Sequence, residues 1–345
     1  MKKCLLMRIL MKKKTYPINQ CALYKCTRKK KLEYLLTLEE GSLKLIQKAI
    51  KYSKFEINKK NSEEKRKITA PQETLKRIQR RVLYLLQSIE RPEWLISATK
   101  GKSYIDNGKY HQNSSYVLAM DIKSFYDNCT RENVYRFFKD KMCTSSDVTE
   151  ILTDIVTINN GIPTGCPTSQ IIAYYAYEDM FLNIKNIADN YGCDFTVYVD
   201  DLTFSSASPF DVGKLQKEVT AVLRRYNHSP KKEKIKYYSR DEAKPITGTI
   251  VTKEHGLTTP NALQHKIYTG FQELKNDSSL DDETRYQKIQ ALEGRIQASK
   301  NIETESDKFP EISRLTRQIK KDTPKPKEKP KARKPANKKS KIRIK

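Results

Sequence analysis

The sequence predicts an α+β fold built around an antiparallel sheet, with a small helical unit on its C-terminal side. Three observations lead there. Residues 193–204 read as two apolar strands meeting at an acidic pair, Asp200-Asp201. A further apolar strand, Tyr116-Val117-Leu118-Ala119-Met120, lies about eighty residues upstream and runs into Asp121. Beyond Thr259-Pro260, two stretches of helical periodicity, 261–275 and 280–300, flank the polar run Asn276-Asp277-Ser278-Ser279.

Taken in order, residues 32–51 read as a helix, two short strands follow around Phe55 and Ile68, and residues 73–89 carry apolar side chains at helical spacing. Residues 116–206 then alternate strand, helix, glycine loop, long helix and hairpin, the texture of a mixed core with an antiparallel sheet.

With 345 residues and 37% hydrophobic content, the chain can build a core without covalent staples. Its formal charge of +26 predicts a polyanionic partner, nucleic acid before an anionic membrane surface. Residues 320–345 hold thirteen Lys/Arg against two Asp/Glu and read as a disordered tail of charge +11, which leaves +15 on the rest. The apolar run from Cys4 to Met11 contains Arg8 and is too short for a span, so neither a membrane segment nor a signal peptide is expected. Seven cysteines without a C-x-x-C pair indicate neither a disulfide framework nor a zinc site, and the cytoplasm is the expected compartment.

The chemistry centres on carboxylates. Asp200 and Asp201 at a hairpin tip and Asp121 at a strand end could converge, and charges so placed are costly without a cation. Phosphoryl transfer to a growing nucleic acid uses two hard cations about 3.5–4 Å apart, and magnesium prefers oxygen ligands. Asp281-Asp282, in a polar stretch with no strand context, shows an acidic pair that only makes a turn.

These residues resemble the reverse transcriptases: Tyr198-Val199-Asp200-Asp201 is similar to their catalytic box, and Asp121-Ile122-Lys123-Ser124-Phe125-Tyr126-Asp127 to the box with their first aspartate. The resemblance implies a right-hand polymerase with fingers (21–115), palm (116–256) and helical thumb (257–305), preceded by an N-terminal extension (1–20) and followed by a disordered basic tail (306–345). It implies that Asp121 and Asp200 are the principal ligands of two Mg2+ ions, with Asp201 in support and the Ile122 carbonyl as a further ligand. Tyr126 would sit under the incoming sugar and collide with a ribose 2′-hydroxyl. Gly161-Ile162-Pro163-Thr164-Gly165-Cys166-Pro167-Thr168-Ser169-Gln170 resembles the loop that packs on the new base pair, which makes Gly165 a nucleotide contact. Here Thr164 stands where glutamine is common and Gln170 where proline is common. A helix capped by Thr168 or Ser169 would follow and continue to about Asn190. Lys65-Arg66-Lys67-Ile68-Thr69-Ala70-Pro71 resembles the finger strand whose arginine holds the triphosphate, so Arg66, with Lys65 second, is the expected bidentate clamp. Lys234 falls near the family's triphosphate lysine, with Lys231, Lys232 and Lys236 in competing registers.

Two more boxes resemble those of the bacterial retron enzymes. Asn107-Gly108-Lys109-Tyr110-His111 is similar to their Asn-Ala-x-x-His, with Gly108 in place of alanine, and Ile246-Thr247-Gly248 to their Val-Thr-Gly. Asn107, Ile246, Thr247 and Gly248 would contact RNA, and His111 would do so or serve structurally. The resemblance implies a cognate noncoding RNA as template and primer, dNTPs as substrates, and branched multicopy single-stranded DNA started from a guanosine 2′-hydroxyl. It further implies an effector protein from the same locus and a role in anti-phage defence. The thumb would grip an RNA stem by shape, with Lys266, Lys275 and Arg285 as candidates. Alternatives are a group II intron-like or diversity-generating enzyme, or a noncatalytic RNA-binding scaffold of the same fold.

Overall fold

Three antiparallel sheets and two helical groups organise the chain, as seen in a computed structural model that describes residues 15–58, 65–277, 279–304 and 307–326. After helix α1 (Lys29–Leu35) comes a hairpin of β1 (Tyr52–Asn58) and β2 (Lys65–Pro71), then α2 (Glu73–Leu86) and α3 (Tyr104–His111). The central part comprises β3 (Tyr116–Asp121), α4 (Ser146–Val156), α5 (Ser169–Ala176), α6 (Glu178–Asn190), β4 (Asp194–Tyr198), β5 (Asp201–Ser206), α7 (Val212–Arg225) and β6 (Lys236–Tyr238). A small meander of β7 (Lys244–Ile246), β8 (Thr249–Val251) and β9 (Leu257–Thr258) leads into α8 (Asn261–Asn276), α9 (Asp282–Ile302) and α10 (Pro310–Asp322).

The strands of the central sheet run in the order β4-β5-β3-β6. Leu118 and Met120 of β3 and Phe195, Val197, Leu202 and Phe204 of the β4–β5 hairpin are buried under α5 and α6, which bring Ile172, Tyr174, Phe181 and Ile184, while Val117 packs separately with Ile246 and Val251 of the meander. One apolar core joins this sheet to α2, whose Leu75, Ile78, Val82, Leu85 and Leu86 recur on one helix face. Among the described residues no helix is long and apolar enough to cross a membrane.

Three sequence expectations change. The helix expected over 32–51 stops at Leu35, because Thr37 and Gly41 adopt left-handed φ values of 56° and 80° and turn the chain. The long helix expected to reach Asn190 is split at Tyr177, which leaves helical geometry (φ −122°, ψ 18°). Its ring is buried, and its hydroxyl donates to the Asn128 carbonyl (3.1 Å) and accepts from the Thr130 N–H (2.9 Å). The tail expected to be disordered from residue 306 begins instead with α10. Phe309 at its start completes the apolar cluster of Ile267, Phe271, Ile289 and Leu292 between α8 and α9, and Lys320 donates to Glu293 of α9 at 2.6 Å. Residues 327–345 of that expected tail, and most of the N-terminal extension, lie outside the described residues.

Candidate active site

The β4–β5 pairing ends at Tyr198↔Asp201, so Val199 and Asp200 form a two-residue turn. Val199 alone of the two has a positive φ, 63°, the pattern of a type II′ turn that favours glycine at this position. A β-branched residue there stores about 1–3 kcal/mol of strain. The loop before α3 holds it: Val199 N–H donates to Ser97 Oγ (2.8 Å), and Val197 N–H donates to the Trp94 carbonyl (2.9 Å).

Strand β3 lies beside β5 with Asp121 opposite Asp201. The chain continues past β3 under the turn, where Ile122 N–H donates to the Asp200 carbonyl at 2.9 Å. N–H and C=O of one extended residue share an edge, so the Ile122 carbonyl faces the Asp200 side. Asp121 is buried, and Asp200 and Asp201 are half-buried. Burial, followed by repulsion from Asp200 and Asp121, pushes the Asp201 carboxyl up to about 7, with Lys234 opposing. The Lys234 ammonium is salt-bridged to Asp121 Oδ2. Burial would lower its pKa, but Asp121, Asp201 and Asp200 outweigh that and hold it above its ordinary value. Even with Lys234 in place Asp201 stays raised, because burial and its two carboxylate neighbours together outweigh that one ammonium.

Among the described residues no three Asp, Glu, His or Cys side chains are gathered as closely as a bound ion requires. In kind, three carboxylates and a main-chain carbonyl are hard oxygen donors that fit magnesium rather than zinc or copper. A cleft of about 210 Å³ opens beside them, with Asp121 and Asp201 on one side, Lys234 and Lys236 along it, and Ile246 and Thr247 on the other side.

The glycine loop docks on the β1–β2 hairpin. Thr69 N–H donates to the Thr164 carbonyl (2.9 Å) and Thr164 Oγ1 donates to the Lys67 carbonyl (3.0 Å). Thr164 therefore brackets the loop to β2. Gly165 has φ 110°, and a Cβ there would come within 2.9 Å of Ile68 Cγ2, so only glycine fits. The expected cap of α5 differs: Thr168 makes no capping bond, and Ser169 Oγ donates to the Pro163 carbonyl (2.6 Å), closing the loop. Tyr126 is half-buried, its ring 5.6 Å from Phe125. Lys65 is exposed and faces Glu56 across the hairpin at 3.6 Å. Arg66 pairs with Ile57 through its backbone, and its side chain lies outside the described residues.

The two boxes around Asn107 and Thr247 meet behind the carboxylates. Thr247 (φ 42°) and Gly248 (φ 89°) form the type I′ turn between β7 and β8, docked against the Tyr104 ring. Asn107 Nδ2 donates to Thr247 Oγ1 (2.7 Å), and Asn107 Oδ1 accepts from Thr196 Oγ1 (2.6 Å). Since Thr196 gives its proton to Asn107, it must accept from His111 Nε2–H (2.7 Å). His111 Nδ1 then accepts from Ser205 Oγ (2.7 Å), which accepts from Ser114 Oγ (2.8 Å). The result is one directional chain of hydrogen bonds, buried from Ser114 to Asn107. Burial alone pushes the His111 imidazole down to about 3, so it is neutral. RNA contact was expected of Asn107 and Ile246, and either RNA contact or a structural role of His111; all three are buried, and the Asn107 and His111 side chains bond to protein. Thr247 is half-buried and Gly248 exposed. Gly108, where alanine was the family's residue, faces Thr249 so closely that a Cβ would lie 2.3 Å from Thr249 Oγ1.

Sequence reasoning passed over Thr196, Ser205 and Ser114. The available signal was a polar residue interrupting each apolar strand on either side of the acidic pair. In the C-terminal helices, Lys275 is exposed, whereas the Arg285 guanidinium donates to the carbonyls of Leu274 (3.3 Å) and Asp277 (2.7 Å) and closes the end of α8.

A carboxylate cluster at the end of an antiparallel sheet, with a glycine loop bracketed to a neighbouring hairpin, is the kind of site polymerases use. Residues 57–272 match the family "Reverse transcriptase (RNA-dependent DNA polymerase)", and the chain belongs to that family. Its curated relatives include the retron Se72 reverse transcriptase of Salmonella heidelberg, 29% identical over 66% of this chain and 62% of that protein. The retron Ec86 reverse transcriptase of Escherichia coli is 24% identical over 59% of this chain and 64% of its own. The retron Ec48 reverse transcriptase, also of Escherichia coli, is 27% identical over 50% and 41%. The chain thus spans less than two thirds of the length of each of these relatives. A structure of apo telomerase from Candida tropicalis, truncated from its C-terminal domain, has TM-score 0.47 and 13% identity over 62% of this chain and 55% of that one, a likeness too slight to add to the family assignment.

Proposed function

We propose that the chain is a retron-type RNA-directed DNA polymerase. The observation that carries this is the gathering of Asp121, Asp200 and Asp201 at one sheet end, where burial first, and then repulsion from Asp200 and Asp121, raises Asp201. The retron names of the relatives and the two boxes around Asn107 and Thr247 support the narrower class. In this reading residues 21–115 are fingers, 116–256 palm, and the thumb extends through α10 to residue 322.

Asp121, Asp200, Asp201 and the Ile122 carbonyl would hold two magnesium ions, which supply activation of the attacking hydroxyl and charge for the leaving pyrophosphate. The chain's own residues do the rest. Arg66, Lys65 and Lys234 neutralise triphosphate charge, Gly165 lets the loop lie against the finger hairpin beneath the new pair, and Tyr126 excludes a 2′-hydroxyl. Thr247 borders the cleft that would take the strand terminus, and Gly248 is exposed beside it in the same turn. The substrates are dNTPs and a cognate noncoding RNA serving as template and primer, and the product is branched single-stranded DNA. A partner effector and anti-phage defence follow from the retron class.

The test is purification from cells carrying the protein with its native flanking locus, digestion with ribonuclease, and a denaturing gel before and after debranching. A small DNA that shrinks on debranching, and is missing from an Asp200→Ala/Asp201→Ala control, is the expected result. Unbranched DNA would keep the polymerase and remove the retron class, and RNA without DNA in both samples would favour a noncatalytic scaffold.

A further inference from the structure

We propose that Asn107 is a positioning residue that fixes the separation of the two walls of the cleft beside the carboxylates, and so the seat of the strand terminus. The inference rests on the polymerase reading and adds a residue that touches neither substrate nor ion. One wall belongs to the β3–β5 pair carrying Asp121 and Asp201, and the other to the β7–β8 turn carrying Thr247. These walls come from separate chain segments, and β7 and β8 are not in the central sheet, so no ladder of backbone bonds sets their spacing. Val117 of β3 packs against Ile246 and Val251, a contact without direction, and the buried amide of Asn107 adds hydrogen bonds to both sides. Asn107 Oδ1 accepts from Thr196, on the strand paired with β5, and its Nδ2 donates to Thr247 on the opposite wall.

The amide is itself immobile. It sits within α3, which is capped by Ser103 and Asp106 in a reciprocal capping box, and the contact of Gly108 with Thr249 presses the same helix onto β8. The Thr196 hydroxyl is oriented by His111, so the acceptor side of the amide is determined as well. A strand whose terminal hydroxyl must reach Asp121 and Asp201 has to enter between these walls. Lys236 along the cleft suits its phosphodiesters.

The experiment compares Asn107→Leu and Thr247→Val, each close in shape to the native residue, with the unaltered protein. Affinity is read by fluorescence anisotropy, without dNTPs, for a labelled DNA primer annealed to an RNA template and for the same RNA unprimed. Expected is a loss on the order of tenfold for the primed duplex in each variant, with unprimed RNA unchanged and the double variant no worse than Asn107→Leu, since all three remove the same bond. In primer extension, KM for the primed template should rise while KM for dNTP holds. Equal weakening of primed and unprimed RNA, additive losses, or a fall in kcat alone would overturn the proposal. If Asn107→Leu does not fold, Thr247→Val decides by the same readings. An unaltered protein that binds primed template but extends nothing would remove the polymerase reading, a result separable from the affinity comparison.

Discussion

The β4–β5 hairpin carries two polar regions of opposite character. At its tip, Asp200 and Asp201 stand with Asp121 in a partly buried cluster whose charges repel, and Asp201 is pushed up to about 7. Behind it, Thr196 and Ser205 join Asn107, His111 and Ser114 in a chain that is neutral and, from end to end, hydrogen-bonded. Both regions hold polar groups away from water, where an unpaired group is expensive. The difference teaches which of them awaits a ligand: the rear satisfies itself and so specifies structure, while the front is stable only to the degree that its surroundings force it together.

The largest effect should come from the front. Asp200→Ala/Asp201→Ala is expected to lower DNA synthesis by on the order of 10³-fold or more. Its thermal midpoint, measured without divalent ions, should hold or rise, because repulsion around Asp201 is relieved. A midpoint that falls by several degrees along with activity would mean that the carboxylates are structural and the contrast is false.

The rear should behave in the opposite way. Gly108→Ala places a methyl 2.3 Å from Thr249 Oγ1 and 3.2 Å from Leu257 Cδ2, an overpacking expected to cost about 2 kcal/mol. Adding Thr249→Ala removes the closest atom and should recover most of that loss, although it forgoes the Thr249 bond to the Ile246 carbonyl. Denaturant midpoints of the two single variants and the double one measure the coupling. Simple additivity would show that α3 and β8 do not bear on each other.

How far the sequence could be read follows the same division. Asp121, Asp200 and Asp201 were legible because charge at a strand end has few explanations other than a cation. The β1–β2 hairpin was legible through its alternation around Phe55 and Ile68. Buried neutral groups leave no comparable trace: Thr196 and Ser205 are ordinary strand residues, and Asn107 and Thr247, 140 residues apart, read as separate surface boxes until the fold joined them. The helix over 310–322 was hidden by the Lys/Pro composition that follows it. Its apolar contacts are few, Ile312, Leu315 and Ile319 against α8 and α9. Tyr177 could not be foreseen as a break because its helical neighbours are all good helix formers or core residues, and tertiary burial of its ring decides the matter.

The smallest expected effect concerns proton linkage in the rear. In the folded chain His111 is held neutral, down to about 3, while an unfolded histidine binds a proton below about 6.5. Between those values the unfolded state binds more protons, so the stabilisation is fully present above pH 6.5 and is lost as pH falls toward 3. Protonation would also make Nδ1 a donor, in conflict with the Ser205 hydroxyl that donates to it. His228, also buried and held down to about 4, contributes a similar slope. His111→Gln retains one donor and one acceptor but cannot titrate, so it should remove about 1 kcal/mol of the stability lost between pH 7 and 5.5 and leave the His228 part. Chemical denaturation at both pH values measures this. An unchanged pH dependence in His111→Gln would mean that the imidazole is hydrated or already charged, and that the rear chain is not the closed, neutral structure that separates it from the carboxylate tip.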